Sequence, residues 1–94
     1  MDNNILMDIP KNFTIEEASK FRVKINKYIE SGEKNFILNF SECDFIDSTG
    51  LGVIVAAYKK CLERGGSIKL KELKEQVRKL FKLTRLDKVF EIYS

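Results

Sequence analysis

"DFIDSTGLGVIVAAYKKCLERGGSIKL", residues 44 to 70, changes its period part-way along. From Leu51 onward apolar residues recur at helical spacing, through Ile54, Val55, Tyr58 and Leu62, and Gly65 and Gly66 close the run. That pattern predicts a helix over residues 48 to 64, followed by "SIKL" as a strand. The start of this helix carries an oddity. Gly50 and Gly52 both fall in its first turns, where each costs about 1 kcal/mol relative to alanine through lost chain entropy. Asp47, Ser48 and Thr49 precede them at the turn from strand to helix, and all three types cap helices by accepting from the unpaired N–H groups of the first turn. Capping uses one such residue and asks for no glycine. Two bare positions there let another backbone or a phosphate approach, at the end of the helix whose dipole favours negative charge.

Working outward, "KNFILNF" (34–40) places Phe36, Leu38 and Phe40 on one face and Ile37 on the other, the pattern of a mostly buried strand. Before it, "TIEEASKFRVKINKYIESG" (14–32) sets Ile15, Ala18, Phe21, Ile25, Tyr28 and Ile29 at helical spacing, with Thr14 and Glu17 placed as a capping box and Gly32 beyond the end. "NNILMDI" is a short strand candidate. Downstream, "KELKEQVRKLFKL" predicts an amphipathic helix near 72 to 82 through Leu73, Val77, Leu80 and Phe81, and "KVFEIY" a last strand. Strands separated by crossover helices imply an α/β fold. The expected architecture is one domain, residues 1–94, with a small, mostly parallel sheet of about four strands and three main crossover helices.

Composition narrows the chemistry. At 44% hydrophobic and 33% charged residues, the chain has the make-up of a globular domain, and 94 residues can bury a core without a metal or disulfide staple. With no histidine, Ser-His-Asp and Cys-His catalysis are excluded. Cys43 and Cys61 are too few for a zinc site and read as reduced, buried thiols. "GLGVIV" would need its third glycine at Val55, and no G-K-[ST] phosphate loop follows. The expectation is a protein that is not an enzyme and has neither cofactor nor metal. The N-terminus lacks a basic, then apolar signal, and no run of about 18 apolar residues exists, so a cytoplasmic location without membrane insertion is expected. Net charge is +3. The basic residues of 66 to 94 are interspersed with Glu72, Glu75, Asp87 and Glu91, which reads as a solvated helix face rather than a nucleic-acid site. The seven phenylalanines, Phe45 among them, read as core.

"FIDSTGLGVIVAAYKKCLERGGSIKL" (45–70) with "VRKLFKLTRLDKVFEIY" (77–93) resembles the STAS family, in its bacterial anti-sigma factor antagonist form, over residues Phe36 to Tyr93. The specific element is the D-S-[ST]-G-L-G motif. The resemblance implies that Ser48 is phosphorylated, and that Asp47, Thr49, Gly50, Leu51 and Gly52 belong to the partner-binding surface. It implies two partners: a serine kinase that is also an anti-sigma factor, and a phosphatase that resets the cycle. The unphosphorylated form would hold the kinase and free the sigma factor, with no direct contact to nucleic acid. Physical chemistry accommodates such a switch. Phosphate adds roughly −1.5 to −2 charges, which a helix N-terminus tolerates and a partner packed flush against it does not.

One region departs from the family pattern. "NNILMDIPKNF" has room for one short strand and lacks the Gly-acidic-apolar-Asp turn that family members carry before the first helix, which makes this a compact, N-terminally shortened version. Two other readings compete. One is a STAS module of a lipid-transport or transporter assembly in which Ser48 is unmodified. The other is a nucleotide-binding protein using the glycine-containing helix start.

Overall fold

A computed structural model describes residues 3 to 93. In chain order the elements are β1 (Ile5–Asp8), β2 (Asn12–Phe13), α1 (Ile15–Glu30), β3 (Asn35–Asn39), β4 (Phe45–Ile46), α2 (Ser48–Glu63), β5 (Ser67–Lys71), α3 (Glu75–Leu83), a 3-10 turn at Leu86–Lys88, and β6 (Glu91–Tyr93). Four strands form one parallel sheet in the order β1-β3-β5-β6. Each new strand is added on the same side of the last, so right-handed crossovers place the helices on one face. The predicted α/β architecture with three helices and a four-stranded parallel sheet is the architecture observed.

The register explains the burial. Met7 pairs with Leu38 and Leu38 with Leu70, while Phe36 pairs with Ile68, so these side chains form one continuous apolar face that the structure buries completely or nearly so. The opposite face carries Leu6, Ile37, Lys69 and Tyr93, none of them buried. Helix α1 contributes Ala18, Phe21, Ile25 and Ile29 to the core, and α2 contributes Leu51, Val53, Ile54, Ala57 and Cys61. Helix α3 is anchored by Phe81, which meets Phe40 edge-on at 5.9 Å and Phe90 at 6.2 Å. Such aromatic pairs contribute about 0.5–1.5 kcal/mol beyond their buried area. The loop from α2 to β5 turns through Gly65, whose φ of +79° lies in the left-handed region.

Several local expectations are corrected. Beyond the main sheet, β2 and β4 form a parallel two-stranded ribbon, pairing Asn12 with Phe45 and Phe13 with Ile46. Two residues show no period, so neither strand was visible in the sequence. Phe13 drives the ribbon: it is fully buried and packs edge-on against Phe21 at 5.2 Å. Thr14 occupies the N-cap of α1 but makes no side-chain capping bond, so the expected capping box is not formed. Helix α3 begins at Glu75, not at residue 72, because Glu72 takes a left-handed φ of 58° as the chain leaves β5. The last strand begins at Glu91, since residues 86 to 88 are spent in the 3-10 turn. Ile15, Phe45 and Leu62, expected in apolar stripes or the core, are exposed. Cys43 and Cys61 are free and buried, and burial pushes both thiols above their ordinary pKa.

Candidate functional site

The D-S-T-G-L-G stretch forms the junction between β4 and α2. Asp47 has extended backbone, with φ −110° and ψ −174°, and its side chain accepts a hydrogen bond from the Gly50 N–H at 3.1 Å. Its own carbonyl accepts the first intrahelical bond, from the Leu51 N–H at 3.0 Å. Asp47 is therefore the N-cap, worth about 1 kcal/mol. Because the aspartate caps, the Ser48 hydroxyl is free of that task. A further tether runs from the Asp47 N–H to the Phe13 carbonyl at 3.4 Å, which ties the turn to β2.

Phe13 also explains one of the two glycines. A Cβ on Gly50 would lie 2.5 Å from the Phe13 carbonyl oxygen and 2.6 Å from its ring, with Ile46 at 3.0 Å. The expectation that these bare positions let another backbone or a phosphate approach is met at Gly50 by the chain's own backbone, which occupies that space. At Gly52 a Cβ would meet nothing within 4 Å, so none of the described residues takes that space. The six motif residues thus divide. Ser48, Thr49 and Gly52 are exposed, Asp47 is half-buried, and Gly50 and Leu51 face inward, with Leu51 only 8% exposed.

The exposed set sits at the positive end of a sixteen-residue helix with no acidic residue in its first turn. The N–H groups of Ser48 and Thr49 lie in that turn and lack intrahelical partners, as the first N–H groups of any helix do. A phosphate on Ser48 would meet a favourable dipole, worth about 0.3–1 kcal/mol at an exposed site.

Next to this junction the β3–β4 loop is pinned to α3. Asp44 accepts a short hydrogen bond from Lys74, and Lys11 lies 3.9 Å away from it. The bond to Lys74 holds the Asp44 carboxyl below the usual carboxylate range, and the same bond raises Lys74 above the usual lysine value. Among the described residues no group of three or more His, Cys, Asp or Glu side chains could hold a metal ion. None of the described helices is long and apolar enough to cross a membrane.

Sequence reasoning placed Phe13 in the core, as found, but missed its contact with Gly50, and it missed the exposure of Phe45. Phe13 lies in a two-residue strand, and Phe45 is exposed because a strand alternates its faces and its neighbour Ile46 takes the inner one. The alternation was readable only with the strand in hand.

Residues 1–94 match the family described as STAS domain. The chain belongs to the STAS domain family. It is 32% identical over 91 residues to the anti-sigma-B factor antagonist of Bacillus subtilis, covering 97% of this chain and 83% of that protein. The crystal structure of TM1081 from Thermotoga maritima superposes with a TM-score of 0.87 at 30% identity, over 95% of this chain and 79% of that one. The anti-sigma factor antagonist SpoIIAA in its unphosphorylated form gives the same TM-score, 0.87, at 20% identity, over 100% of this chain and 83% of its own. At that identity SpoIIAA supports the fold alone. The STAS fold of this chain therefore includes the β2–β4 ribbon that secures its D-S-T-G-L-G junction.

Proposed function

We propose that this STAS domain is an anti-sigma factor antagonist whose binding to a serine kinase and anti-sigma factor is switched by phosphorylation of Ser48. The supporting observation is the division of labour at the start of α2: Asp47 caps, Gly50 and Leu51 lock the turn to the core, and Ser48, Thr49 and Gly52 remain exposed. A cytoplasmic, non-enzymatic module of this kind uses the exposed residues as contact surface and the buried ones to hold it in shape. Phosphate added at Ser48 leaves the helix intact and places roughly −1.5 to −2 charges where the partner would have to desolvate them. A phosphatase then restores the binding form.

Incubation with ATP and a cognate serine kinase should add one phosphate to the peptide containing "DSTGLG", and none to Ser48→Ala. Ser48→Asp should keep the native melting temperature and bind the kinase at least about tenfold more weakly, about 1.4 kcal/mol, as read by calorimetry. Equal labelling of Ser48→Ala, or native affinity in Ser48→Asp, would remove Ser48 as the switch. No labelling of the native protein by a kinase that binds it would favour an unmodified module of another assembly.

A further inference from the structure

A second surface adjoins the Ser48 junction. Between β4 and α3 lies an open groove of about 360 Å³, whose apolar lining is Phe45, Ile46, Val77, Leu80 and Leu83. Two of these are unusually bare for their size: Phe45 is 55% exposed and Leu83 81%. On α3, Gln76, Lys79, Leu80 and Leu83 stand three or four residues apart and so share one helix face. Val77 and Phe81 lie on the adjoining face of the helix, which is buried in the core. Beside that buried face, the described residues leave Leu83 and part of Leu80 uncovered.

The electrostatics of the rim select the occupant. Residues 74 to 88 contain Lys74, Arg78, Lys79, Lys82, Arg85 and Lys88 against only Glu75 and Asp87. Asp44, the carboxylate on the other wall, is paired with Lys74 and lies near Lys11. Lys79 has no ion pair among the described residues. A second copy of this chain, with its net charge of +3, would bring like charge to a basic rim.

We propose that the β4–α3 groove seats an amphipathic helical segment of a protein partner, with apolar anchors between Phe45 and Leu83 and carboxylates on its flank meeting Lys79 and Lys82. Apolar anchors supply the affinity in this mode of recognition, and complementary charge sets register and association rate. Phe45 lies three residues before Ser48 on the same strand-to-helix run. The groove is accordingly the second contact of the partner engaged at Ser48, and in that assignment it rests on the switch reading. The groove's chemistry does not.

The test uses the native 15N-labelled protein and two synthetic helical peptides sharing one apolar face, one flanked by glutamates and the other by lysines. The acidic peptide should shift the amide signals of Phe45, Gln76, Leu80 and Leu83 in a salt-sensitive manner, and the lysine peptide should not. Leu83→Glu should weaken the acidic peptide at least about tenfold, with an unchanged melting temperature because Leu83 lies outside the core. Phe45→Ser is the companion variant should Leu83→Glu alter folding. Absence of shifts, equal shifts from both peptides, shifts mapping elsewhere, or self-association through the groove would each overturn the proposal. No kinase enters the experiment, so its result is separate from the fate of Ser48: loss of Ser48 labelling would leave a positive groove titration standing, and the converse also holds.

Discussion

Gly50 and Gly52 are two residues apart on one helix and stand in opposite surroundings. At Gly50 the chain folds back on itself until a single methyl group would strike the Phe13 carbonyl, whereas Gly52 faces open space. The inward glycine is set by packing within the molecule; at the outward one no described neighbour asks for a bare position, although glycine is costly in a helix. The same contrast extends to the residues around them. Asp47 and Leu51 serve the turn, and Ser48 and Thr49 are left to solvent.

The sharpest way to break this comparison is to add a methyl group at each glycine. Gly50→Ala should destabilise the fold by about 1–3 kcal/mol, because the clash is with the Phe13 backbone, which must move; urea unfolding measures it, and a neutral result would mean the β2–β4 ribbon is loose. Next in size is the cap. Asp47→Ala should cost about 1 kcal/mol while Ser48→Ala stays within a few tenths, since only the aspartate accepts from Gly50. Equal losses would show the two side chains sharing the task. Gly52→Ala should stabilise by about 0.5–1 kcal/mol in the isolated protein, as alanine does in an unobstructed helix. If Gly52 is contact surface, the same variant binds the kinase less tightly; a gain in stability with native affinity would remove Gly52 from the interface.

The smallest effect expected is that of pH on the Asp44–Lys74 pair. Asp44 has a lowered pKa in the folded state, so its contribution is present above the ordinary carboxylate value and is lost as pH falls through the lowered one. Lys74 is raised, so its contribution is present below the ordinary lysine value and is lost as pH rises through the raised one. The pair therefore supports the fold between those limits, weakly and less so in salt because it is exposed. Asp44→Asn should flatten the acid limb of a stability–pH curve relative to the native protein, and identical curves would show that the pair contributes nothing measurable.

What the sequence by itself determined was the alternation of periods, and with it three helices, the parallel sheet and the family motif. These are local or repeating signals, carried by many residues each, such as the Phe36, Leu38 and Phe40 face of β3. The tertiary structure alone decided why Gly50 must be glycine, which of Asp47, Ser48 and Thr49 caps α2, and that Phe45 and Leu83 stay exposed beside the junction. The first of those outcomes depends on one contact between segments far apart in the chain. The Phe13 carbonyl meets the start of α2 some 37 positions away, and a pattern read along the chain cannot register a neighbour that only folding supplies.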